Sequence, residues 1–267
     1  MVRRIPPLLR SAWHLFAFSV ILGAAFCRFL LFPKHRTPVG RSLWLQDTCR
    51  RIASGIGLDI RASGPPIPTG LLVSNHLSYL DIIVLGSLHP CSFVSKVEVR
   101  SWPVIGWGAQ AAGTLFVRRE NRADIAAAAN GIRDLLEKQI SVMVFPEGTS
   151  SGGGTVLPFY PGIFESVAGS AHWVTPAWLG YALQDGDPAE EICYWRDMTF
   201  VPHFLRLLGK KRIIAHVRIG PPLIASGDRK FLSRETHARV VALAAEPVRP
   251  INGSGAEKDF VPDAVRN

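Results

Sequence analysis

Apolar residues follow two rhythms along the chain. Ser11 to Leu31 is almost wholly apolar, interrupted by His14 and Arg28. Arg3, Arg4 and Arg10 precede it, and Lys34, His35 and Arg36 follow at once. Its length is close to the ~20 residues that a membrane-crossing helix needs. Arg28 and the bulky Phe29-Leu30-Leu31-Phe32 stand where a signal peptide would carry small cleavage-site residues, so the run reads as an uncleaved membrane segment. Basic residues on both flanks leave two geometries open, a span and a helix lying in one leaflet. From Arg41 to Gly57 the apolar Leu43, Trp44, Cys49, Ile52 and Ile56 recur at helical spacing among Asp47, Arg50 and Arg51, predicting an amphipathic helix.

Beyond that point short apolar runs alternate with helical patterns. Leu58-Asp59-Ile60, Leu71-Leu72-Val73, Cys91 to Lys96, Thr114 to Val117, Ser141 to Phe145, Trp173 to Trp178 and Arg212 to Ile219 read as strands. A helix is predicted from near Leu80 through Leu85, with Ser78 and Asp81 spaced as a capping box. Asp124 to Lys138 and Asp228 to Ala245 are two further helices. Trp102 to Gly108 is a glycine-punctuated apolar segment, and Ser150 to Gly154 reads as a mobile loop over a site. The alternation predicts an α/β fold: a mixed, partly parallel sheet flanked by helices, with a membrane-associated helical segment at the N-terminus. Residues 1–40 form the anchor, 41–250 one catalytic-sized domain and 251–267 a polar tail.

Composition narrows the choice of partner. Of 267 residues 48% are hydrophobic, too many for a disordered chain, and the formal charge is +9. Such a charge favours phosphates: on nucleic acid, on an anionic membrane surface or on a substrate. The chain carries no recognised nucleic-acid motif, so nucleic acid is not expected. Four scattered cysteines form no CxxC pair, which argues against a zinc site and suits a reducing, cytosol-facing side.

In an open α/β sheet ligands bind beyond the carboxyl ends of strands. Three stretches fall there: Asn75-His76 through Asp81, Phe116-Val117-Arg118-Arg119, and Phe145-Pro146-Glu147-Gly148-Thr149. If they converge, they bring together a base, a carboxylate to orient it, a guanidinium pair and a glycine turn whose backbone can approach an anion. That set suits deprotonation of a hydroxyl on a phosphorylated acceptor.

The chain resembles the membrane-associated glycerolipid acyltransferases, the family of 1-acyl-glycerol-3-phosphate acyltransferases. The resemblance rests on NHLSYLD (Asn75, His76, Asp81), GTLFVRR (Gly113, Phe116, Arg119), FPEGTS (Phe145 to Ser150) and VTPAW around Pro176, in the family's order over roughly residues 45 to 220. It implies an acyl-CoA or acyl-carrier-protein thioester as donor, a lysolipid hydroxyl as acceptor, and no cofactor or metal. Carried onto this chain, His76 is the general base and Asp81 fixes its tautomer. Asn75, Lys96, Arg118, Arg119, Glu147, Gly148 and Thr149 are expected around the substrate, with Arg119 on the acceptor's phosphate. Arg118 stands where many lysophosphatidate enzymes carry an acidic residue, which strengthens an anionic acceptor. The first expectation is 1-acylglycerol-3-phosphate giving phosphatidate, at the cytosolic face of an inner membrane. The alternatives are another lysolipid, such as lyso-ornithine lipid, and a non-catalytic basic membrane protein. A serine hydrolase would need a nucleophile elbow between strand and helix, and none is expected. The sequence specifies no oligomeric state.

Overall fold

The computed structural model describes residues 6–102, 104–118 and 121–246; Arg119 and the expected tail 251–267 lie outside them. In chain order the elements are α1 (Pro7–Leu31), α2 (Pro38–Gly55), β1 (Leu58–Ser63), β2 (Gly70–Ser74), α3 (Leu80–Leu88), β3 (Cys91–Lys96), α4 (Ile105–Ala111) and β4 (Leu115–Val117). They continue with α5 (Arg122–Glu137), β5 (Ser141–Val144), β6 (Trp173–Leu183), α6 (Pro188–Glu191), α7 (Phe200–Leu208), β7 (Ile213–Ile219), β8 (Leu223–Ile224) and α8 (Arg229–Ala245).

The strands form one mixed sheet in the order β1-β7-β6-β2-β5-β3-β4, with β8 beside β6. β6 runs antiparallel to β7 and β8, and the other pairs are parallel. Helices cover both faces, so the central strands are apolar at successive positions. On one face Leu72, Phe93, Met143, Leu179 and Val217 pack with Ile52 of α2 and Val84 of α3. On the other, Leu71, Val73, Val142, Val144 and Val174 pack with Ile132 and Leu136 of α5 and Leu232 and Val240 of α8. This arrangement puts β2 in mid-sheet, with β5 and β6 on either side. The loops leaving β2 and β5 therefore emerge side by side.

The two polar interruptions in the N-terminal apolar run both tie α1 to the domain. His14 Nδ1–H donates to Leu208 O at 2.8 Å, and Arg28 pairs with Asp47 of α2. Ser11 Oγ donates to Leu205 O, and Trp44 Nε1–H donates to Ala25 O. α1 thus lies along the domain on one face and bares Leu9, Trp13, Phe16 and Val20 on the other.

Three expectations need correction. α7 is not among the elements expected from the sequence. Here Pro202 sits in the first helical turn, where no backbone N–H is needed. β6 runs on to Leu183, past Pro176. Pro176 falls between the stretch paired with β8 and the stretch paired with β7, where the ladder needs no donor from it. Finally, Ser78 is not a cap: its buried Oγ has no hydrogen-bond partner, and α3 begins without a side-chain cap bond.

Candidate active site

His76 lies two residues beyond the end of β2, in a loop held from three sides. Its Nδ1 is 2.7 Å from Asp81 Oδ2, and its ring stacks on Phe145 with centroids 4.2 Å apart. Asp81, in the first turn of α3, is wholly buried. Its Oδ2 also accepts from the Leu77 and Ser78 backbone N–H groups at 2.7 and 3.0 Å, and its Oδ1 accepts from Tyr181 Oη at 2.7 Å. The reaching-back half of the capping box is therefore present, and it is used to fix the carboxylate under the imidazole. A carboxylate is an acceptor only, so Nδ1 is the donor, and in the neutral form of the ring the lone pair falls on Nε2. Among the described residues Nε2 has no hydrogen-bond partner, and 21% of the side chain is exposed. The pair presents an oriented imidazole whose Nε2 edge is open to solvent.

Asn75 and Glu147 hold this loop from beneath, rather than lining its open side. Asn75 Nδ2 donates to Leu179 O and its Oδ1 accepts from Leu179 N–H, so the amide expected at the substrate is used on β6. Glu147 is 2% exposed. Its Oε2 accepts from the His76 N–H at 3.1 Å and its Oε1 from the Leu157 N–H at 3.0 Å. Burial pushes the Glu147 carboxyl up to about 7; the two N–H groups act in the opposite direction. Gly148 takes φ +73° to close the turn, its N–H bonded to Phe145 O, and Thr149 is exposed. The loop expected to be mobile is fastened instead: the Ser151 N–H donates to His76 O, and Gly152 packs on the Trp195 ring.

Gly148-Thr149-Ser150-Ser151-Gly152 does carry the spacing of a nucleophile elbow, which corrects the expectation that none is present. Its structure is not that of an elbow. The stretch runs into irregular chain rather than a helix, and Ser150 Oγ donates to Tyr194 O rather than to a histidine. Nor is a buried thiol available: burial pushes Cys49 and Cys193 up to about 12 and Cys91 higher. Among the described residues no three His, Cys, Asp or Glu side chains are grouped to hold a metal ion.

The expected basic residues line a different part of the same sheet end. Lys96 closes β3 and is exposed, in register with Val117 of β4. Arg118 follows β4, three strand positions from β2, or roughly 14 Å at the usual strand spacing. Its guanidinium forks onto Asp124 in the first turn of α5, Nε–Oδ2 at 2.6 Å and Nη2–Oδ1 at 3.3 Å. The extra positive charge expected of Arg118 is therefore neutralised locally. Arg119, expected on the phosphate, lies outside the described residues. Tyr181 is a site residue that the sequence does not point to, because no motif marks a tyrosine well inside a long strand.

Comparison with known proteins supplies the wider context. The acyltransferase family model matches residues 60–180. A lyso-ornithine lipid O-acyltransferase of Pseudomonas aeruginosa is 33% identical over 245 residues, covering 89% of this chain and 93% of that protein. A 1-acyl-sn-glycerol-3-phosphate acyltransferase of Neisseria gonorrhoeae is 35% identical over 154 residues, covering 54% of this chain and 60% of that protein. The crystal structure of PlsC, the 1-acyl-sn-glycerophosphate acyltransferase of Thermotoga maritima, superposes with a TM-score of 0.63 at 20% identity, over 91% of this chain and 98% of that one, and so shares its fold. With a relative 33% identical aligned over nearly its whole length, and the family model matched over residues 60–180, the chain belongs to the PlsC-type acyltransferases.

Proposed function

We propose that this lysolipid acyltransferase moves a fatty acyl group from an acyl-CoA or acyl-carrier-protein thioester to the acceptor's hydroxyl, with His76 as general base. The observation that carries the reading is the His76–Asp81 pair, its tautomer fixed and Nε2 open. Nε2 takes the hydroxyl proton as the oxygen attacks the thioester carbonyl. Asp81 supports the imidazolium that results. Collapse of the tetrahedral intermediate breaks the carbon–sulfur bond, and the imidazolium returns its proton to the departing thiolate. The products are an ester and a free thiol. No acyl-enzyme is required, in keeping with the absence of a serine or cysteine bonded to the imidazole among the described residues.

For the acceptor we favour lyso-ornithine lipid over the phosphatidate precursor expected from the sequence. The relative so named aligns over 93% of its length, against 60% for the lysophosphatidate relative. The Arg118–Asp124 pair suits a head group bearing both signs of charge better than a phosphate. 1-Acylglycerol-3-phosphate is kept as the second reading because Lys96 stands exposed on the same rim. Labelled acyl-CoA and acyl-carrier protein, each offered with both acceptors, test donor and acceptor together. Turnover of the phosphate acceptor alone would overturn the ornithine reading, and turnover of neither would overturn both acceptors.

We read α1 as lying in one leaflet rather than crossing it, on the cytosolic face of the inner membrane. Its bonds to α2 and α7 supply one support, its bare apolar face another. Two cavities of about 550 Å³ flank it, one near each end. Each mixes apolar side chains with more basic than acidic ones: Arg28, Lys34 and Leu43 beside Asp47 at one, Arg206, Lys211 and Leu205 beside Asp185 and Glu191 at the other. That is the lining an interfacial helix needs beside anionic head groups.

A further inference from the structure

β6 does more than complete the sheet. Alternate side chains along a strand share a face, and Ala177, Leu179, Tyr181 and Leu183 all pack with the cluster that includes Leu80 and Val84. The Asn75 amide grips both backbone groups of Leu179 and so fixes the register of β6 against the His76 loop. Two residues further on, Tyr181 Oη arrives 2.7 Å from Asp81 Oδ1. The other oxygen, Oδ2, is already shared by three N–H donors. Tyr181 is thus the one donor to Oδ1 among the described residues. Its phenol, enclosed and beside a carboxylate, is held well above its usual range and remains a donor throughout the working pH range.

We infer that Tyr181 is a positioning residue for acyl transfer: its hydroxyl locks the Asp81 carboxylate so that Oδ2 stays on His76 Nδ1 and Nε2 stays turned to the acceptor. A buried carboxylate oxygen without a donor is costly, and the carboxylate would turn or recruit water to recover one. Either response loosens the imidazole that Oδ2 orients. The inference rests on His76 being the base, and it adds a residue that none of the four sequence blocks contains.

The test is a double-mutant cycle on the full chain in lipid, assayed with saturating acyl-CoA and lysolipid. Tyr181→Phe is expected to lower kcat roughly tenfold, the scale of a lost hydrogen bond to a charge, with the acceptor KM unchanged. On an Asp81→Asn background the same change should alter kcat less than twofold, because Tyr181 acts through Asp81. In the single variant the downfield Nδ1–H proton resonance of His76 should move. An unchanged kcat, or an equal loss on both backgrounds, overturns the proposal. Should Tyr181→Phe fail to fold, 3-fluorotyrosine placed at position 181 keeps both volume and hydroxyl. The His76 resonance must then shift, and an unmoved resonance overturns the proposal. His76→Ala at the wild-type rate would instead overturn the reading of the base, whatever the Tyr181 result.

Discussion

The side-chain amide of Asn75 and the backbone of Leu179 form a closed pair of hydrogen bonds, 2.9 Å from Nδ2 to O and 2.8 Å from N–H to Oδ1. The pair acts as one more rung between β2 and β6, made by a side chain just where β2 ends. It converts the asparagine of a chemical motif into a structural tie that sets where the histidine loop sits.

Asn75→Ala should therefore damage stability and activity together. It leaves the Leu179 N–H and C=O buried without partners, at a cost of about 2–4 kcal/mol. Urea unfolding should show the loss, and kcat should fall because the register that delivers Tyr181 is released. A variant with wild-type stability and reduced acceptor binding alone would return Asn75 to the substrate.

His76→Ala should cost activity while sparing stability. The ring is partly exposed and accounts for one of the four bonds to Asp81, so the melting temperature should hold within a few degrees. General-base catalysis is worth about 10²–10⁴-fold, and kcat should drop by that order. Asp81→Asn should lose both, since an amide has one acceptor oxygen for four donors, can only donate to the Tyr181 oxygen from its N–H₂, and lacks the charge that strengthens the three bonds at Oδ2. Loss of activity in both with stability lost only in Asp81→Asn is the expected pattern by differential scanning calorimetry and steady-state assay.

Much of the fold and part of the site are legible in the residues, and the remainder is hidden for identifiable causes. The strand ends and the His76–Asp81 pair follow from short-range pattern: apolar runs that stop, and a carboxylate in a first helical turn. The task of each motif residue is a long-range matter. Nothing local says that Asn75 faces Leu179 or that Glu147 looks inward to the His76 and Leu157 amides. Polar motif residues read as facing substrate because exposed turns are where such residues usually lie. α7 is hidden by a proline whose place in the helix, not its presence, decides its effect. Tyr181 is hidden because its partner, Asp81, lies 100 residues away along the chain.

Glu147 gives the protein a pH signature of its own. Its carboxyl is raised from an ordinary carboxylic-acid value to about 7 by burial. Between those values the folded state binds more proton than the unfolded state, so stability falls as pH rises. The contribution is fully present below about pH 4.5 and lost by passage through pH 7, with a span of about 3 kcal/mol. Urea titrations at pH 5 and pH 8 should show wild type losing stability across that interval. Glu147→Gln should lose the pH slope while being less stable at both ends, because an amide accepts through one atom and two N–H groups need acceptors. An identical slope in both proteins would assign the titration to another group.

The posture of α1 makes a prediction that separates the two membrane geometries. Its exposed face carries Trp13 at 65% and Phe16 at 61% exposure, and removing two such rings should weaken partition by roughly tenfold or more for each. Trp13→Ser with Phe16→Ser should thus release protein from phosphatidylglycerol vesicles in a flotation assay, with turnover of a short-chain soluble acceptor retained. Orientation follows from thiol labelling. Cys49, Cys91 and Cys193 are buried and Cys27 is exposed, so a Cys27→Ser background leaves a clean surface. On it, Leu8→Cys near one end of α1 and Lys34→Cys just beyond the other should both react with an impermeant maleimide added to inside-out membrane vesicles, which expose the cytosolic face. A helix 25 residues long that crossed the bilayer would carry its ends to opposite faces, and one of the two positions would then be protected. Labelling of both from the same side is what a helix bonded along its length to α2 and α7 requires, because crossing would pull His14 from Leu208 or Trp44 from Ala25.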